Sequence, residues 1–171
     1  MQKTIKHTIF KTKWGYFGLA ATDNGLLRTV LPSANCKRVE SQLLHNLPNC
    51  GYDKDLFRPA QKQITAYFEG VCTDFRDVPI VLDGFGLFAR RILTVCRGIK
   101  FGQTVSYGQL AKIAGKPGAA RAVGRVMAKN PLPLIIPCHR VRCANGKIGG
   151  FSAMGGVKLK KRLLQFEQKA L

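Results

Sequence analysis

Residues 106–131 of the 171-residue chain read SYGQLAKIAGKPGAARAVGRVMAKNP, and the pattern of this segment predicts the fold of the C-terminal half. Ser106 and Gln109 have the S-x-x-Q spacing of a capping box, which predicts the start of a short helix. The predicted core face of this helix consists of Leu110, Ile113 and Ala114. Gly115-Lys116-Pro117-Gly118 predicts a tight break directly after it. A helix that ends at such a turn is typical of the first half of a helix-turn-helix.

A second helix is predicted over about 119–129, where Asn130-Pro131 ends it. Its predicted inward-facing residues are Ala122, Val123, Val126 and Met127. Arg121, Arg125 and Lys129 recur at i, i+4 and i+8 and therefore form one outward basic stripe. Such a stripe is ordinarily a solvated face. Here no acidic residue pairs with it, and it lies where a recognition helix would lie, so the pattern favours DNA binding.

The sequence on both sides of this motif also predicts mostly helix. An apolar stripe over 88–98 consists of Phe88, Ile92, Val95 and Cys96. A last helix begins at about Val157 and has a seam of Leu159, Leu163 and Phe166, with Leu164 beside it. Between these helices, Leu132–Ile136 predicts one buried strand or extended segment. Residues 85–171 are therefore predicted to form a mostly α lobe that contains the helix-turn-helix.

Residues 1–84 predict a separate, small α+β lobe. Strand-like segments lie around 4–10, 15–21 and 26–31, and Thr22-Asp23-Asn24-Gly25 is typical of a hairpin turn with glycine where φ is positive. Helical patterns follow at about 35–46 and 59–69. The expected fold of this lobe is a small antiparallel sheet with helices.

Positive charge is concentrated in the C-terminal lobe. The formal net charge is +19, but residues 86–171 hold 17 of the 28 Lys and Arg and a single acid, Glu167. Such a charge density destabilises a compact lobe unless a polyanion is its usual partner. Nucleic acid is favoured over an anionic membrane surface, because no basic amphipathic anchor stands at either terminus.

Composition and cysteine usage exclude several classes of protein. The chain has 46% hydrophobic and 22% charged residues, which is globular composition, and no apolar run reaches the roughly 18 residues of a membrane span. The apolar segment at 15–22 lacks the features of a signal peptide, so secreted and membrane-spanning proteins are excluded and the six cysteines are expected to be reduced. Their spacing with the three histidines predicts no metal site.

A candidate reactive site lies at Cys138-His139, where the apolar segment delivers both residues into the lobe. A lone Cys-His pair is weak evidence for catalysis. Glu167 strengthens it, because its spacing from Leu163 and Leu164 places this carboxylate on the apolar side of the last helix, where a buried charge needs a partner. That partner is either an Arg or Lys, which is a structural pair, or His139, which would then activate the thiol.

Several motifs together resemble the O6-alkylguanine-DNA alkyltransferases. They are PCHRV at 137–141, NG at 145–146, GGF at 149–151, KRLLxxE at 161–167, SYGQL at 106–110, AARAVG at 119–124 and NP at 130–131. The resemblance is strong over about 85–168 and weaker over residues 20–26 and 67–70. It implies a DNA repair protein that moves an alkyl group from O6 of guanine in duplex DNA irreversibly to its own Cys138, in a single turnover without cofactor or metal.

The resemblance also implies roles for single residues. Cys138 would be the acceptor thiolate, activated through a water by His139, which Glu167 orients, and Asn130 would tie the helix-turn-helix to this segment. Arg121 would enter the duplex through the minor groove as an arginine finger. Tyr107 would crowd a phosphate to drive base flipping and protonate guanine at N3. Further DNA contacts would come from Gly108, Lys116 and Arg125, and the guanine pocket would be lined by Val141, Phe151 and Ser152.

Three other functions remain open from the sequence. A non-catalytic binder of alkylated DNA would need the motif cysteine replaced, but Cys138 is present. A helix-turn-helix transcription regulator would leave the Cys-His-Glu set unused, and a cysteine hydrolase lacks an evident oxyanion hole. The expected partner is double-stranded DNA carrying O6-alkylguanine, with no membrane, no obligate protein partner and a monomeric state. The expected location is the cytoplasm, on the nucleoid in a bacterium, or the nucleus in a eukaryote.

Overall fold

The computed structural model describes residues 4–47 and 49–171 of the chain. These residues form two compact units that divide between Val81 and Leu82. The sequence places the division three residues later, after Gly84. No helix in the described part of the chain is long and apolar enough to cross a bilayer.

The first unit is built on a four-stranded sheet. Strands β1 (Lys6–Thr12), β2 (Gly15–Thr22) and β3 (Gly25–Ser33) are antiparallel neighbours, and the sheet order is β3-β2-β1-β4. Gly25 has a φ of +142°, as the predicted hairpin turn requires. The expectation of a purely antiparallel sheet is wrong, because the two-residue strand β4 (Gly51–Tyr52) pairs with β1 in parallel.

Two helices complete the first unit. Helix α1 (Cys36–Leu44) begins where the Asn35 side chain accepts a hydrogen bond from the backbone N–H of Arg38. Helix α2 (Arg58–Phe68) matches the helical pattern predicted at about 59–69 and buries Ala60, Ile64, Tyr67 and Phe68 on one face. The α+β class predicted for this part of the chain is therefore confirmed.

The second unit is mostly helical. Its helices are α3 (Leu87–Arg97), α4 (Tyr107–Ile113), α5 (Ala120–Ala128) and α6 (Gly156–Lys169). The predicted capping box is present at α4, where Ser106 and Gln109 each bond the other's backbone N–H. Helices α4 and α5 pack together and are joined by residues 114–119. A short parallel pair that the sequence does not reveal, β5 (Val105–Ser106) with β6 (Val141–Arg142), ties α4 to the reactive segment.

The predicted core face of α4 is partly wrong. Ile113 is 60% exposed, whereas Ala111 is fully buried beside Leu110 and Ala114. At about 100° per residue, the face shared by Leu110, Ala111 and Ala114 lies roughly 100° away from Ile113. The buried face of α3 also differs from the predicted apolar stripe, because Leu93 is buried with Ile92 and Cys96, whereas Phe88 and Val95 are not fully buried.

The buried strand or extended segment expected over Leu132–Ile136 is absent from the structure. The backbone instead makes a tight turn, in which the N–H of Ile136 donates to the carbonyl of Leu132 at 2.8 Å and Leu134 has a φ of +79°. Prolines at 131, 133 and 137 remove the backbone donors that a strand ladder needs. The segment is nevertheless buried, as predicted, and leads into a single 3-10 turn, η1 (Cys138–Arg140).

Candidate functional site

The three consecutive residues of η1 form the centre of the site. Cys138 is 6% exposed, His139 is fully buried and Arg140 is 4% exposed. In an extended segment, neighbouring side chains would point to opposite sides. The 3-10 turn instead lets His139 and Arg140 reach the same carboxylate on α6.

Glu167 is this carboxylate, and it is 1% exposed. His139 Nε2 lies 2.6 Å from its Oε1, and Arg140 Nε donates to Oε2 at 3.0 Å. Arg140 Nη2 donates to Oε1 at 2.9 Å, and the N–H of Gly102 donates to Oε2 at 3.0 Å. The sequence leaves an arginine partner and a histidine partner as alternatives, and the structure has both.

These contacts fix the charge state of the cluster. Burial alone would raise the pKa of Glu167, but the hydrogen bond from His139 and the contacts of Arg140 outweigh it and lower that pKa to about 2. Burial lowers the pKa of His139, and Glu167 only partly opposes this effect. His139 is therefore neutral beside an ionised Glu167, with its proton on Nε2.

The other ring nitrogen of His139 is consequently an acceptor. Nδ1 is buried and has no hydrogen-bond partner among the described residues. The protonation state set by Glu167 thus leaves a buried basic nitrogen in the residue that follows Cys138. Such a nitrogen can take a proton from a nearby acid.

The Cys138 thiol is held in a mixed environment. Burial raises its pKa, while a hydrogen bond from the Asn130 side chain and the charge of Lys160 lower it. Asn130 also links two segments, because its Nδ2 donates to the carbonyl of Ile136 at 2.9 Å and its Oδ1 accepts from the N–H of Leu132 at 3.0 Å. It holds the end of α5 against the turn that leads to Cys138.

Lys160 is a buried cation that the sequence analysis missed. Its Nζ donates to the carbonyls of Val141 at 2.6 Å and Gly150 at 3.1 Å, and lies 5.7 Å from the centre of the Tyr107 ring. Burial lowers the pKa of Lys160, and the Cys138 thiol opposes this effect. The available signal was its position on α6, seven residues before Glu167 and three before Leu163, on the same buried face.

A cavity of about 420 Å³ opens at the thiol. Its lining comes from α4, α5, η1 and the loop before α6, and consists of Tyr107, Gly124, Met127, Ala128, Cys138, Gly150, Phe151 and Ser152. Val141, which was expected in the pocket, is not among these lining residues. Its carbonyl instead holds Lys160 behind the cavity. The volume suits a flat organic group such as a nucleobase.

The predicted DNA-contacting residues lie on the surface of the second unit. Arg121 and Arg125 are exposed on α5 and Lys129 is exposed directly after its last residue, while Gly108 and Lys116 are exposed at α4 and in the turn after it. Tyr107 is half-buried at the start of α4, and burial raises the pKa of its phenol. Because α5 also contributes Gly124, Met127 and Ala128 to the cavity, one helix carries the basic stripe and part of the cavity wall.

Comparisons with known proteins agree on one family. Residues 87–169 match the model described as 6-O-methylguanine DNA methyltransferase, DNA binding domain. A methylated-DNA–protein-cysteine methyltransferase of Cricetulus griseus is 37% identical over 95% of this chain and 82% of its own length. The protein of that name from Metallosphaera sedula is 41% identical over 95% of this chain and 93% of its own length.

Solved structures give the same result. The O6-methylguanine methyltransferase of Mycobacterium tuberculosis matches with a TM-score of 0.80 and 31% identity, over 98% of this chain and 95% of its own. A structure of Mycobacterium tuberculosis OGT in complex with DNA matches with a TM-score of 0.80 and 33% identity, over 96% of this chain and 94% of its own.

Proposed function

This chain belongs to the methylated-DNA–protein-cysteine methyltransferase family, and from that membership we propose that Cys138 is the cysteine that accepts the alkyl group. The activity is DNA repair by transfer of an alkyl group from O6 of guanine to the protein itself. One observation carries the assignment of Cys138. Its thiol lines the 420 Å³ cavity and immediately precedes the neutral, buried His139 that Glu167 orients.

The first step is removal of the thiol proton. His139 accepts it at Nδ1 through a relaying water, and the ionised Glu167 stabilises the imidazolium that forms. Arg140 keeps Glu167 ionised, so the proton stays on the imidazole. The charge of Lys160 and the hydrogen bond from Asn130 favour the thiolate once it has formed.

Transfer follows in one displacement. The thiolate attacks the alkyl carbon, so that an S–C bond forms as the C–O6 bond breaks and the electron pair stays on the guanine oxygen. The leaving guanine takes one proton at N3 from the Tyr107 phenol, and the phenolate left behind recovers the proton that the thiol gave to His139, so that both side chains return to their neutral forms. The product is a thioether, which has no carbonyl for water to attack. Each molecule therefore acts once.

The geometry requires the base to leave the duplex, because a stacked guanine cannot reach a thiol that is 6% exposed. We assign this step to the helix-turn-helix of α4 and α5. Arg121 takes the space of the extruded nucleotide from the minor groove, and Tyr107 crowds the neighbouring phosphate. Lys116, Gly108 and Arg125 contact the DNA backbone. A minor-groove contact carries little sequence information, which suits a search for damage in any sequence.

The test is peptide mass analysis after incubation with duplex DNA that contains O6-methylguanine. We expect one methyl group per chain, located on the Cys138 peptide, with the guanine restored and no second turnover. Cys138→Ala is the negative variant. Cys143→Ser is the matched control, since Cys143 is a partly exposed thiol five residues away that must leave methyl transfer intact.

Two outcomes would contradict the assignment. A methyl group on another cysteine, with transfer retained in the Cys138→Ala variant, would move the acceptor elsewhere. Binding to methylated DNA without any gain in mass would make the protein a lesion-binding protein.

A further inference from the structure

Helix α6 carries a second cationic surface, separate from the stripe on α5. We define the outer face of α6 by four exposed side chains, Lys158, Lys161, Arg162 and Lys169. The reaction proposed above uses none of them. Gln165, also exposed, lies among them and is uncharged.

The helical spacing puts these four residues on one side. At about 100° per residue, all lie within roughly 60° of the direction opposite to the buried face of Lys160, Leu163 and Glu167. That buried face contacts η1 and β6 through Glu167 and Lys160. Since Cys138 of η1 lines the cavity, the outer face of α6 is turned away from the cavity.

The three lysines of the outer face, Lys158, Lys161 and Lys169, have no acidic counterpart among the described residues. From residue 82 onward the only acids are Asp83 and Glu167, and Glu167 is buried against Arg140. Lys158 also has cations three and four residues on, and like charges at these spacings destabilise a helix. A solvent-facing helix gains nothing from this pattern, whereas a polyanion would offset its cost.

We propose that the outer face of α6 binds the phosphate backbone of a second DNA duplex segment while the first segment is held at α5. Phosphates are the polyanion that this family already contacts, and four cations on about three turns of helix match a backbone rather than a single anion. This inference rests on the proposed function in one respect, which is the choice of DNA as the polyanion. With two duplex segments on one molecule, the protein can pass from one to the other without entering free solution.

Direct transfer between segments has a kinetic signature. The rate at which a labelled short duplex leaves the protein should rise in proportion to the concentration of unlabelled duplex. In the variant K158Q/K161Q/R162Q/K169Q, we expect this slope to fall at least about tenfold, because four phosphate contacts to the second duplex are lost. Affinity for a single short duplex and the rate of methyl transfer should stay within about twofold of the wild type.

A charge-matched control separates this effect from net charge. K37Q/R38Q/K54Q/K62Q also removes three lysines and one arginine, all exposed on the first unit, and should keep the wild-type slope. Thermal unfolding verifies folding, and the α6 variant should melt no lower than the wild type because like-charge repulsion has been relieved.

The proposal is overturned by any of four results. The first is a dissociation rate of the wild-type protein that does not depend on the concentration of unlabelled duplex, and the second is an unchanged slope in the α6 variant. The third is an equal loss of slope in the control variant. The fourth is a lower affinity of the α6 variant for a single short duplex, which would place α6 on the first duplex. Methyl transfer to Cys138 is measured in the same samples. Failure of the proposed function is therefore seen separately.

Discussion

At the scale of single residues, the charge of Glu167 links stability to the reactive site. Its pKa is about 2 in the folded protein, against an ordinary value of 4.5. A carboxyl whose pKa is lowered by folding stabilises the fold at pH values above the ordinary pKa. That contribution is lost as the pH falls from about 4.5 towards 2.

We expect Glu167→Gln to lower the free energy of unfolding by about 3 kcal/mol at pH 7, since the pKa difference corresponds to that amount and Arg140 loses its partner. Urea unfolding at pH 7 and pH 3 measures it. The difference in the free energy of unfolding between variant and wild type should be smaller at pH 3 than at pH 7. Glu69→Gln, at an exposed carboxylate, is the control. An equal gap at both pH values would assign the loss to packing instead of charge.

The inward position of Glu167 could be predicted from the sequence, because helical spacing relative to Leu163 depends only on local geometry. Its partners could not be predicted. Whether Arg140 or His139 reaches the carboxylate depends on the backbone at η1, and an extended segment would have sent the two side chains to opposite sides. Lys160 was missed because lysine is rarely buried unless its amine finds several acceptors, and its acceptors here are backbone carbonyls.

At the scale of elements, the loop between β6 and α6 positions the cavity wall through Gly149. This residue has a φ of +79°, and a Cβ there would lie 3.3 Å from the Tyr107 hydroxyl and 3.2 Å from Cys143 Sγ. Gly146 has the same φ but open space around the corresponding position. A substitution at either glycine therefore meets the same backbone strain, but only at Gly149 does the added side chain also approach Tyr107 and Cys143.

We expect Gly149→Ala to slow methyl transfer from duplex DNA at least about tenfold, because a displaced Tyr107 hydroxyl no longer reaches the leaving base. Gly146→Ala should leave the single-turnover rate within about twofold. Both should lose about 1 kcal/mol or more of stability, since alanine disfavours a positive φ. Equal rates in the two variants would remove Tyr107 placement as the cause.

Helix α5 carries the next prediction, at Arg121. Replacement by Ala should slow repair of duplex DNA much more than reaction with free O6-alkylguanine, because only the duplex needs the space of the extruded base filled. Second-order rate constants with both substrates measure the difference. Arg125→Ala is the control, and it should weaken duplex binding without making base extrusion slower than that weakening explains. Equal losses on both substrates would remove the finger role of Arg121.

The elements also mark the limit of prediction from sequence. Capping and spacing gave α4 and α5 to within two residues, because both signals are local. The turn at 132–136 was predicted to be a strand or an extended segment, because an apolar run of this length suits an extended segment as well as a turn and burial alone does not separate them. The β5–β6 pair joins residues 36 positions apart over two residues each, which leaves no periodic pattern.

At the scale of the whole molecule, charge is divided between the two parts of the chain. Residues 1–85 hold 11 basic and 8 acidic side chains, while residues 86–171 hold 17 basic and one acidic. Glu167, the single acid among residues 86–171, is buried, so the cationic surface of these residues repels itself in the absence of DNA. Binding to duplex DNA should relieve that repulsion and release counterions.

The salt dependence of duplex binding tests this division. If Arg125, Lys129 and Lys116 each neutralise one phosphate, the slope of log K against log salt is about −2.7, and affinity falls roughly fortyfold between 50 and 200 mM. Fluorescence anisotropy with a short duplex measures it. Arg125→Gln should make the slope less steep by about 1, whereas Lys37→Gln on the first unit should leave it unchanged. A flat response would remove the phosphate backbone as the partner of α5, and an equal change in both variants would show that total charge, and not its placement, sets the affinity.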